Sequence, residues 1–288
     1  MKRSIGVIGL GTMGSAMAAN LVKAGFEVHG FDVSAKARSA FQRAGGKSGK
    51  SAAEVAKSAS VLITSLPSAQ ALQDVAAELK GKCVVMETST LPIEEKELAR
   101  KTLEKKGIVL LDCPLSGTGA QARTRDLVVY ASGERKAFEK TKPFLAGFSR
   151  AHFYVGEFGN GSKMKFVANL MVAIHNVSAA EAFVLGMKAG LAPKDIFEVQ
   201  ANSAGTSRMF QVRGPMMVAG NYDDATMKNE LWQKDMKIIG EFAMKLGAPT
   251  PLFNASAAIY SAAMAQGYGL KDTAAVCAVM ESMARVKR

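Results

Sequence analysis

Tryptophan occurs once in these 288 residues, histidine and cysteine three times each, and proline eight times. Each shortage removes a class of chemistry. Cys83, Cys113 and Cys277 are far apart and odd in number. They give neither a disulfide framework nor a thiolate metal spacing, so reduced thiols in a cytoplasm and no metal are expected. His29, His152 and His175 are the only histidines, and no Gly-x-Ser-x-Gly elbow is present. Hydrolase chemistry built on a serine–histidine pair therefore has no basis. No uninterrupted apolar run reaches the roughly 18 residues of a membrane span. The chain passes from Met1-Lys2-Arg3 straight into an apolar strand without a small-residue cleavage site, so no signal peptide and no membrane partner are expected. The net charge is +12, yet the basic residues are scattered and no aromatics interleave them. Nucleic acid is accordingly not an expected partner. A dispersed positive field suits a solvated surface and anionic small molecules.

What is present alternates in texture. Short apolar runs at Ser4–Ile8, Glu27–Phe31, Ser60–Leu66, Cys83–Met86 and Ile108–Leu111 are separated by amphipathic stretches at Met13–Ala24, Ala35–Ala44, Ala52–Lys57, Ala69–Leu79 and Ile93–Lys105. Strand and helix in alternation predict a parallel sheet covered on both faces. Leu127–Ala131 and Ala151–Val155 read as further strands extending that sheet. Beyond Gly161 the texture becomes helical: Ser162–Ala189, Pro193–Ala201, Asn229–Leu246, Leu252–Ala265 and Thr273–Val286, with Gly190, Gly247 and Gly267 placed as C-caps. The boundary falls at Gly156–Gly161. The expected architecture is an α/β fold, with an N-terminal doubly wound parallel sheet in residues 1–160 followed by an all-α domain in 161–288 that starts with a long interdomain helix. The apolar excess of that helix predicts a homodimer or homotetramer.

Gly9-Leu10-Gly11-Thr12-Met13-Gly14 follows the first strand and opens the first helix. In this position Gly-x-Gly-x-x-Gly is the Rossmann dinucleotide fingerprint: a tight turn, a backbone that admits a pyrophosphate, and a close helix–strand contact, with free amides at the helix start. Asp32 ends the second strand at the spacing of a ribose-binding acid. A carboxylate there favours NAD over NADP. Lys36 and Arg38 lie just beyond it and leave NADP possible. As an alternative, Asp32 would merely cap the next helix.

With this loop in place the chain resembles the β-hydroxyacid dehydrogenase family, which includes the 3-hydroxyisobutyrate dehydrogenases and tartronate semialdehyde reductases. The resemblance runs through Gly9–Leu21, Thr64-Ser65-Leu66-Pro67, Glu87-Thr88-Ser89-Thr90 (the family's Asp-x-Ser-Thr), Asp112-Cys113-Pro114-Leu115-Ser116-Gly117 and Gly159–Asn169, with Lys234-Asp235 late in the chain. It implies an oxidoreductase that moves a hydride between a nicotinamide cofactor and a small anionic β-hydroxy acid or its semialdehyde. Gly9, Gly11, Thr12, Met13, Gly14, Asp32, Leu66, Pro67, Thr90 and Lys234 are the implied cofactor residues. Ser116, Gly117, Thr118, Asn169 and Asp235 are the implied substrate residues, and Lys165 is the implied general acid/base. The pattern agrees: Lys165 and Asn169 are four apart on one helix, so they share a face, whereas Lys163 meets the apolar Phe166 and Val167. Burial lowers a lysine from its reference pKa of about 10.4 toward a useful range. Departures are concentrated in one loop. The family's Ser-Gly-Gly is Ser116-Gly117-Thr118, and its later small residues become Gln121 and Arg125-Asp126. Ala168 and Met227 also depart from the family pattern. Two alternatives on the same fold are a nicotinamide-binding sensor without turnover and an imine or other carbonyl reductase.

Overall fold

The computed structural model describes residues 3–288. Among these residues are nine strands: β1 Ser4–Ile8, β2 Glu27–Phe31, β3 Lys47–Ser48, β4 Val61–Thr64, β5 Val84–Glu87, β6 Val109–Asp112, β7 Leu115–Ser116, β8 Val128–Ala131 and β9 Ala151–Tyr154. The first unit also carries α1 Thr12–Lys23, α2 Ala35–Arg43, α3 Ala52–Ser58, α4 Ala69–Glu78, α5 Ile93–Glu104, α6 Gly119–Arg123 and α7 Arg135–Phe148. Then come α8 Asn160–Lys188, α9 Pro193–Gln200, α10 Arg208–Ala219, α11 Asn229–Lys245, α12 Pro251–Ala265, a 3-10 turn Thr273–Ala275 and α13 Val276–Ala284. Two compact units divide inside α8, the first ending at Lys165 and the second running from Phe166 to Arg288.

Strands β1 to β6 form one parallel sheet in the order β3-β2-β1-β4-β5-β6. The central strands are apolar on both faces, as helices on both sides require. Val61 and Ile63 of β4, Val84 and Met86 of β5, and Ile5 and Val7 of β1 join one core with Met17, Leu21, Phe144 and Phe148. The alternate residues Leu62 and Val85 join the other with Leu72, Leu79, Ala99 and Leu103. The strand order reverses between β1 and β4. Their carboxyl ends flank the switch point where open α/β sheets bind ligands.

One expectation is corrected, and two features go beyond the sequence reading. β8 and β9 do not extend the main sheet. They form a second sheet with β7, antiparallel at β7–β8 and parallel at β8–β9, which meets the first at the Asp112–Ser132 bridge. The helices α7 and α10 are not among the elements expected from the sequence, and each carries an interior proline, Pro143 and Pro215. In α7 the buried Ala137, Phe138, Thr141, Phe144, Leu145 and Phe148 keep helical spacing and outweigh that break. Finally, α8 is long and apolar enough, by length and composition, to cross a membrane, although polar residues interrupt it and no unbroken apolar run reaches that length. Of its most apolar window, 44% is buried within the chain.

Candidate active site

The first turn after β1 is shaped by contacts that only glycine permits at two of its positions. Gly9 has φ +90°, and a Cβ on it would lie 2.2 Å from the Ser65 carbonyl oxygen. A Cβ on Gly14 would lie 1.9 Å from the carbonyl oxygen of Gly9. Gly11 is different, because a Cβ there would meet nothing within 4 Å. No packing inside the chain explains glycine at that position, but the approach of a ligand does. Gly11 is also the N-cap of α1, whose first turn has no side-chain cap and no acidic residue. Gly11 and Thr12 are exposed, and Met13 is half-buried. A 12-residue helix whose start presents amides and a positive dipole end to solvent fits the pyrophosphate of a dinucleotide.

Asp32 belongs to this loop and does not cap the next helix. Its Oδ2 accepts the Leu10 amide at 2.7 Å and its Oδ1 accepts the Ser34 amide at 2.8 Å, while Ser34 caps α2. Arg38 donates to the backbone oxygens of Asp32 at 2.6 Å and Val33 at 3.1 Å, with its guanidinium over the Phe31 ring. On the other side of the switch point, the Leu66 amide donates to Ser89 Oγ at 2.8 Å. The loop carrying Leu66 and Pro67 is thereby tied to the loop carrying Thr90.

The Ser116-Gly117-Thr118 turn lies against the cofactor helix. A Cβ on Gly119 would come 2.6 Å from Thr12 Cγ2, and Asn20 Nδ2 of α1 donates to the Ala122 carbonyl at 2.7 Å. Thr118, however, is already engaged. It is the N-cap of α6 in a capping box, and its amide donates to Gln121 Oε1 at 3.0 Å. Gln121 Nε2 donates to Asp126 Oδ2 at 3.0 Å, and Asp126 Oδ1 accepts Arg150 at 2.7 Å. Arg125 completes the loop at φ +61°. The departures at Thr118, Gln121 and Arg125-Asp126 thus form one connected loop.

On α8, Lys165 is 8% exposed, and Lys163 is exposed and bonded to Asn160 Oδ1 at 3.0 Å. Asn169, one turn beyond Lys165 and 5% exposed, donates through Nδ2 to Asp235 Oδ2 at 2.8 Å within the second unit. Lys234 is exposed, 3.9 Å from Asp235 Oδ1. The glycine loop, Asp32, Leu66, Pro67, Thr90, the Ser116 turn and Lys165 all belong to the first unit. The second gathers Asn169, Lys234 and Asp235.

The sequence reading missed a buried ionic cluster beneath these loops. Lys96 is fully buried between Glu87 Oε2 at 2.6 Å and Asp112 Oδ1 at 2.8 Å. Burial alone would lower the lysine pKa, but attraction by Asp112 and then Glu87 outweighs it and raises the group above its ordinary value. Cys113 beside it is pushed well up by burial and by Asp112, so it stays a thiol. The signal available in the sequence was a lone lysine on the otherwise buried face of α5, with Ala99 and Leu103. Among the described residues no group of three or more His, Cys, Asp or Glu side chains could hold a metal ion.

Comparison with known proteins agrees with this geometry. Residues 4–156 match the NAD binding domain of 6-phosphogluconate dehydrogenase, and residues 159–280 match the NAD-binding domain of NADP-dependent 3-hydroxyisobutyrate dehydrogenase. The chain is 32% identical to an L-threonate dehydrogenase of Cupriavidus necator, over 96% of this chain and 95% of that one. It is also 32% identical to a 2-(hydroxymethyl)glutarate dehydrogenase of Eubacterium barkeri, over 98% and 96%. The solved 3-hydroxyisobutyrate dehydrogenase of Mycobacterium tuberculosis, with L-serine, superposes with a TM-score of 0.87 at 27% identity, covering 97% of this chain and 99% of that one. With its glycine loop, its 3-2-1-4-5-6 sheet and its helical second unit, this chain belongs to the β-hydroxyacid dehydrogenase family, whose members are NAD(P)-dependent oxidoreductases.

Proposed function

We propose that the chain interconverts a small hydroxy acid and its carbonyl form, with Lys165 as the proton-transfer residue and NAD(H) preferred over NADP(H). The observation that carries this reading is a nearly buried lysine early in α8 with a buried asparagine one turn on, itself fixed by Asp235. When bound, the nicotinamide accepts or supplies the hydride at the carbinol carbon. In the oxidation direction neutral Lys165 takes the hydroxyl proton, and in reduction protonated Lys165 donates it to the carbonyl oxygen. Asn169 and Asp235 orient the reacting hydroxyl. The Ser116 hydroxyl and the Gly117 amide hold the substrate carboxylate. Thr118 closes this turn through its position, since its amide and its hydroxyl are both engaged by Gln121 in the capping box. Asp32, carrying no positive partner on its carboxylate among the hydrogen bonds it makes to Leu10 and Ser34, supports the adenosine ribose and repels a 2′-phosphate.

The substrate class follows from what similar enzymes take. L-threonate and 2-(hydroxymethyl)glutarate are hydroxylated carboxylates, and the net charge of +12 attracts anions. A homodimer or homotetramer in the cytoplasm, with neither nucleic acid nor membrane as partner, completes the reading. Exposed Leu185, Val199, Leu231, Met244 and Leu252 in the helical unit support the association. A screen of small hydroxy acids and their aldehydes, followed at the NADH absorbance with both cofactors, tests the activity. The expected result is turnover with at least one hydroxylated carboxylate. Cofactor binding without turnover across the panel would leave a sensor.

A further inference from the structure

A lysine with no solvent exposure, flanked by two buried carboxylates, is a costly arrangement, and ion clusters of this kind often stabilise a fold no better than apolar packing of the same volume. Its connections are more telling. Asp112 directs both carboxylate oxygens at the start of α8. Oδ2 accepts the Ser162 amide at 2.7 Å and Oδ1 accepts the Ser162 hydroxyl at 2.8 Å. Ser132 Oγ donates to Asp112 Oδ2 at 3.3 Å and accepts the Gly161 amide at 2.9 Å. The helix start has no room to slide, because a Cβ on Gly161 would lie 2.4 Å from the Tyr130 carbonyl oxygen and 2.7 Å from that of Asp112. On the far side of Lys96, Glu87 Oε1 accepts the Ser89 amide at 2.9 Å, and Ser89 Oγ accepts the Leu66 amide. One continuous polar run therefore passes from Leu66 through Ser89, Glu87, Lys96 and Asp112 to Ser162. It lies wholly within the first unit. Leu66 and the neighbour of Ser89, Thr90, belong to the cofactor loops. Lys165 stands three residues beyond Ser162 on the same helix face.

We propose that Lys96, Asp112 and Ser162 are positioning residues, which fix the first turn of α8 so that Lys165 is held at a set reach from the loops carrying Leu66 and Thr90. This rests on the reading of Lys165 as the proton-transfer residue. The physical reason is that proton and hydride transfer depend on sub-ångström alignment, and a misplacement of about 1 Å can cost on the order of 10²-fold in rate. A hydrogen-bonded ionic cluster has a narrower geometry than an apolar contact of equal area, because its energy depends on direction as well as distance.

Two conservative changes probe it: Ser162→Ala, which removes one hydroxyl, and Asp112→Asn, which keeps the shape of the side chain. Amine labelling of the full-length protein with trinitrobenzenesulfonate, read by mass spectrometry across pH, reports Lys165 directly and needs no substrate. Both variants should change the Lys165 labelling rate at fixed pH by about tenfold, the size of one pKa unit. Lys163, on the outer face of the same turn, should keep its profile. Lys165 labelling unchanged in either variant would overturn the proposal, as would equal changes at Lys163, which indicate general loosening. In steady state, Ser162→Ala should lower kcat about tenfold with KM for NAD(H) unchanged, and should add nothing in a Lys165→Ala background. Lys165→Ala with wild-type kcat would defeat the reading of Lys165 itself, whatever the labelling shows. Full additivity of the two changes beside a crippled Lys165→Ala would defeat the positioning role alone.

Discussion

Each unit contains a buried ionic cluster with almost no solvent exposure, and the two differ in where their hydrogen bonds end. In the first unit Lys96 lies between Glu87 and Asp112, and the bonds of that cluster end on Ser89 and Ser162, next to Thr90 and three residues from Lys165. In the second, Arg213 pairs with Asp272 at 2.8 Å, and Asp272 Oδ2 accepts from Thr226 Oγ and from the Thr226 and Met227 amides. Met227 precedes Asp235 by eight residues, more than two helical turns. The Arg213 pair lies among Asn176 and Tyr260, which bond to each other at 3.0 Å, and serves to lock α8, α10 and α12 together. Burial of charge is common to both clusters, so a functional difference between them would have to come from where their hydrogen bonds end.

The largest expected effect tests whether the chemistry lies where the first unit's network ends. Lys165→Ala should lower kcat by about 10²–10⁴-fold, the usual range for a general acid/base, with little change in cofactor affinity. Lys163→Ala should stay within a few-fold, since the Lys163 side chain is exposed and bonds to Asn160 in its own turn. A crippled Lys163→Ala beside a nearly normal Lys165→Ala would show that the wrong face of α8 had been assigned.

Stability should treat the two ionic groups alike, while activity should separate them. Lys96→Met and Arg213→Met each strand buried carboxylate charge, at a cost of about 3–5 kcal/mol. Measured well below its own melting temperature, Lys96→Met should also lose kcat, whereas Arg213→Met should keep it within a few-fold on the same free-energy reasoning. Equal loss of kcat in both would erase the contrast. Acid sharpens it further. Burial opposes ionisation of Asp272, but Arg213 and the Ala274 and Met227 amides outweigh that and hold its carboxyl below the ordinary range. A depressed carboxylate contributes stability that is present above the unfolded value of about 3.9 and is lost as pH falls through the folded value. Urea melts over that interval should show wild type losing stability, and the Arg213→Met, Asp272→Asn pair losing less.

The same contrast explains what the sequence made legible. The glycine loop, Asp32 and the central strands are local patterns: a fixed spacing of glycines, an acid at a strand end, and mostly apolar runs of four or five. The start of β1 and the ends of β2 could be read from neighbours in sequence alone. Lys96 could not, because its partners lie nine and 16 residues away and reach it only through the sheet register that sets Glu87 beside Asp112. The two-residue strands β3 and β7 are too short to show alternation. The five-residue α6 is set by a capping box whose members, Thr118 and Gln121, looked in sequence like losses from a family pattern. Among the second unit's site residues, Asn169 and Asp235 were named separately, and only the fold joins them.

Cofactor selection should depend on the first unit alone and give a smaller effect than loss of Lys165. Asp32 accepts the loop amides, and Arg38 is engaged by two backbone oxygens and the Phe31 ring, an arrangement expected to disfavour a 2′-phosphate. NAD should exceed NADP by about tenfold or more in kcat/KM, equivalent to about 1.4 kcal/mol. Gly11→Asp should abolish binding of both with the fold intact, since no protein atom lies within 4 Å of the new Cβ. A clear NADP preference would mean that Arg38 or Lys36 leaves its present contacts to build the 2′ site. Unchanged titration of Gly11→Asp would remove the dinucleotide from this loop altogether.

The smallest expected effect concerns the loop where this chain departs from its family. Gln121 accepts the Thr118 amide and donates to Asp126, so it both caps α6 and occupies a donor beside the Ser116 turn. Gln121→Ala removes half of a capping box at a cost of about 1 kcal/mol, or a fall in melting temperature of roughly 2–4 °C for a unit of this size. It also frees the Thr118 amide. If the carboxylate of the substrate is held at Ser116 and Gly117, that freed donor lies next to it, and KM for a hydroxy acid should fall by a few-fold with kcat unchanged, the pattern of uniform binding. The two readouts move in opposite senses, a weaker fold and a tighter substrate, and simple damage to the loop cannot give both. A melting temperature and KM that both worsen would mean that Gln121 supports the substrate turn as well as closing it, and the carboxylate would then have to be sought away from Thr118.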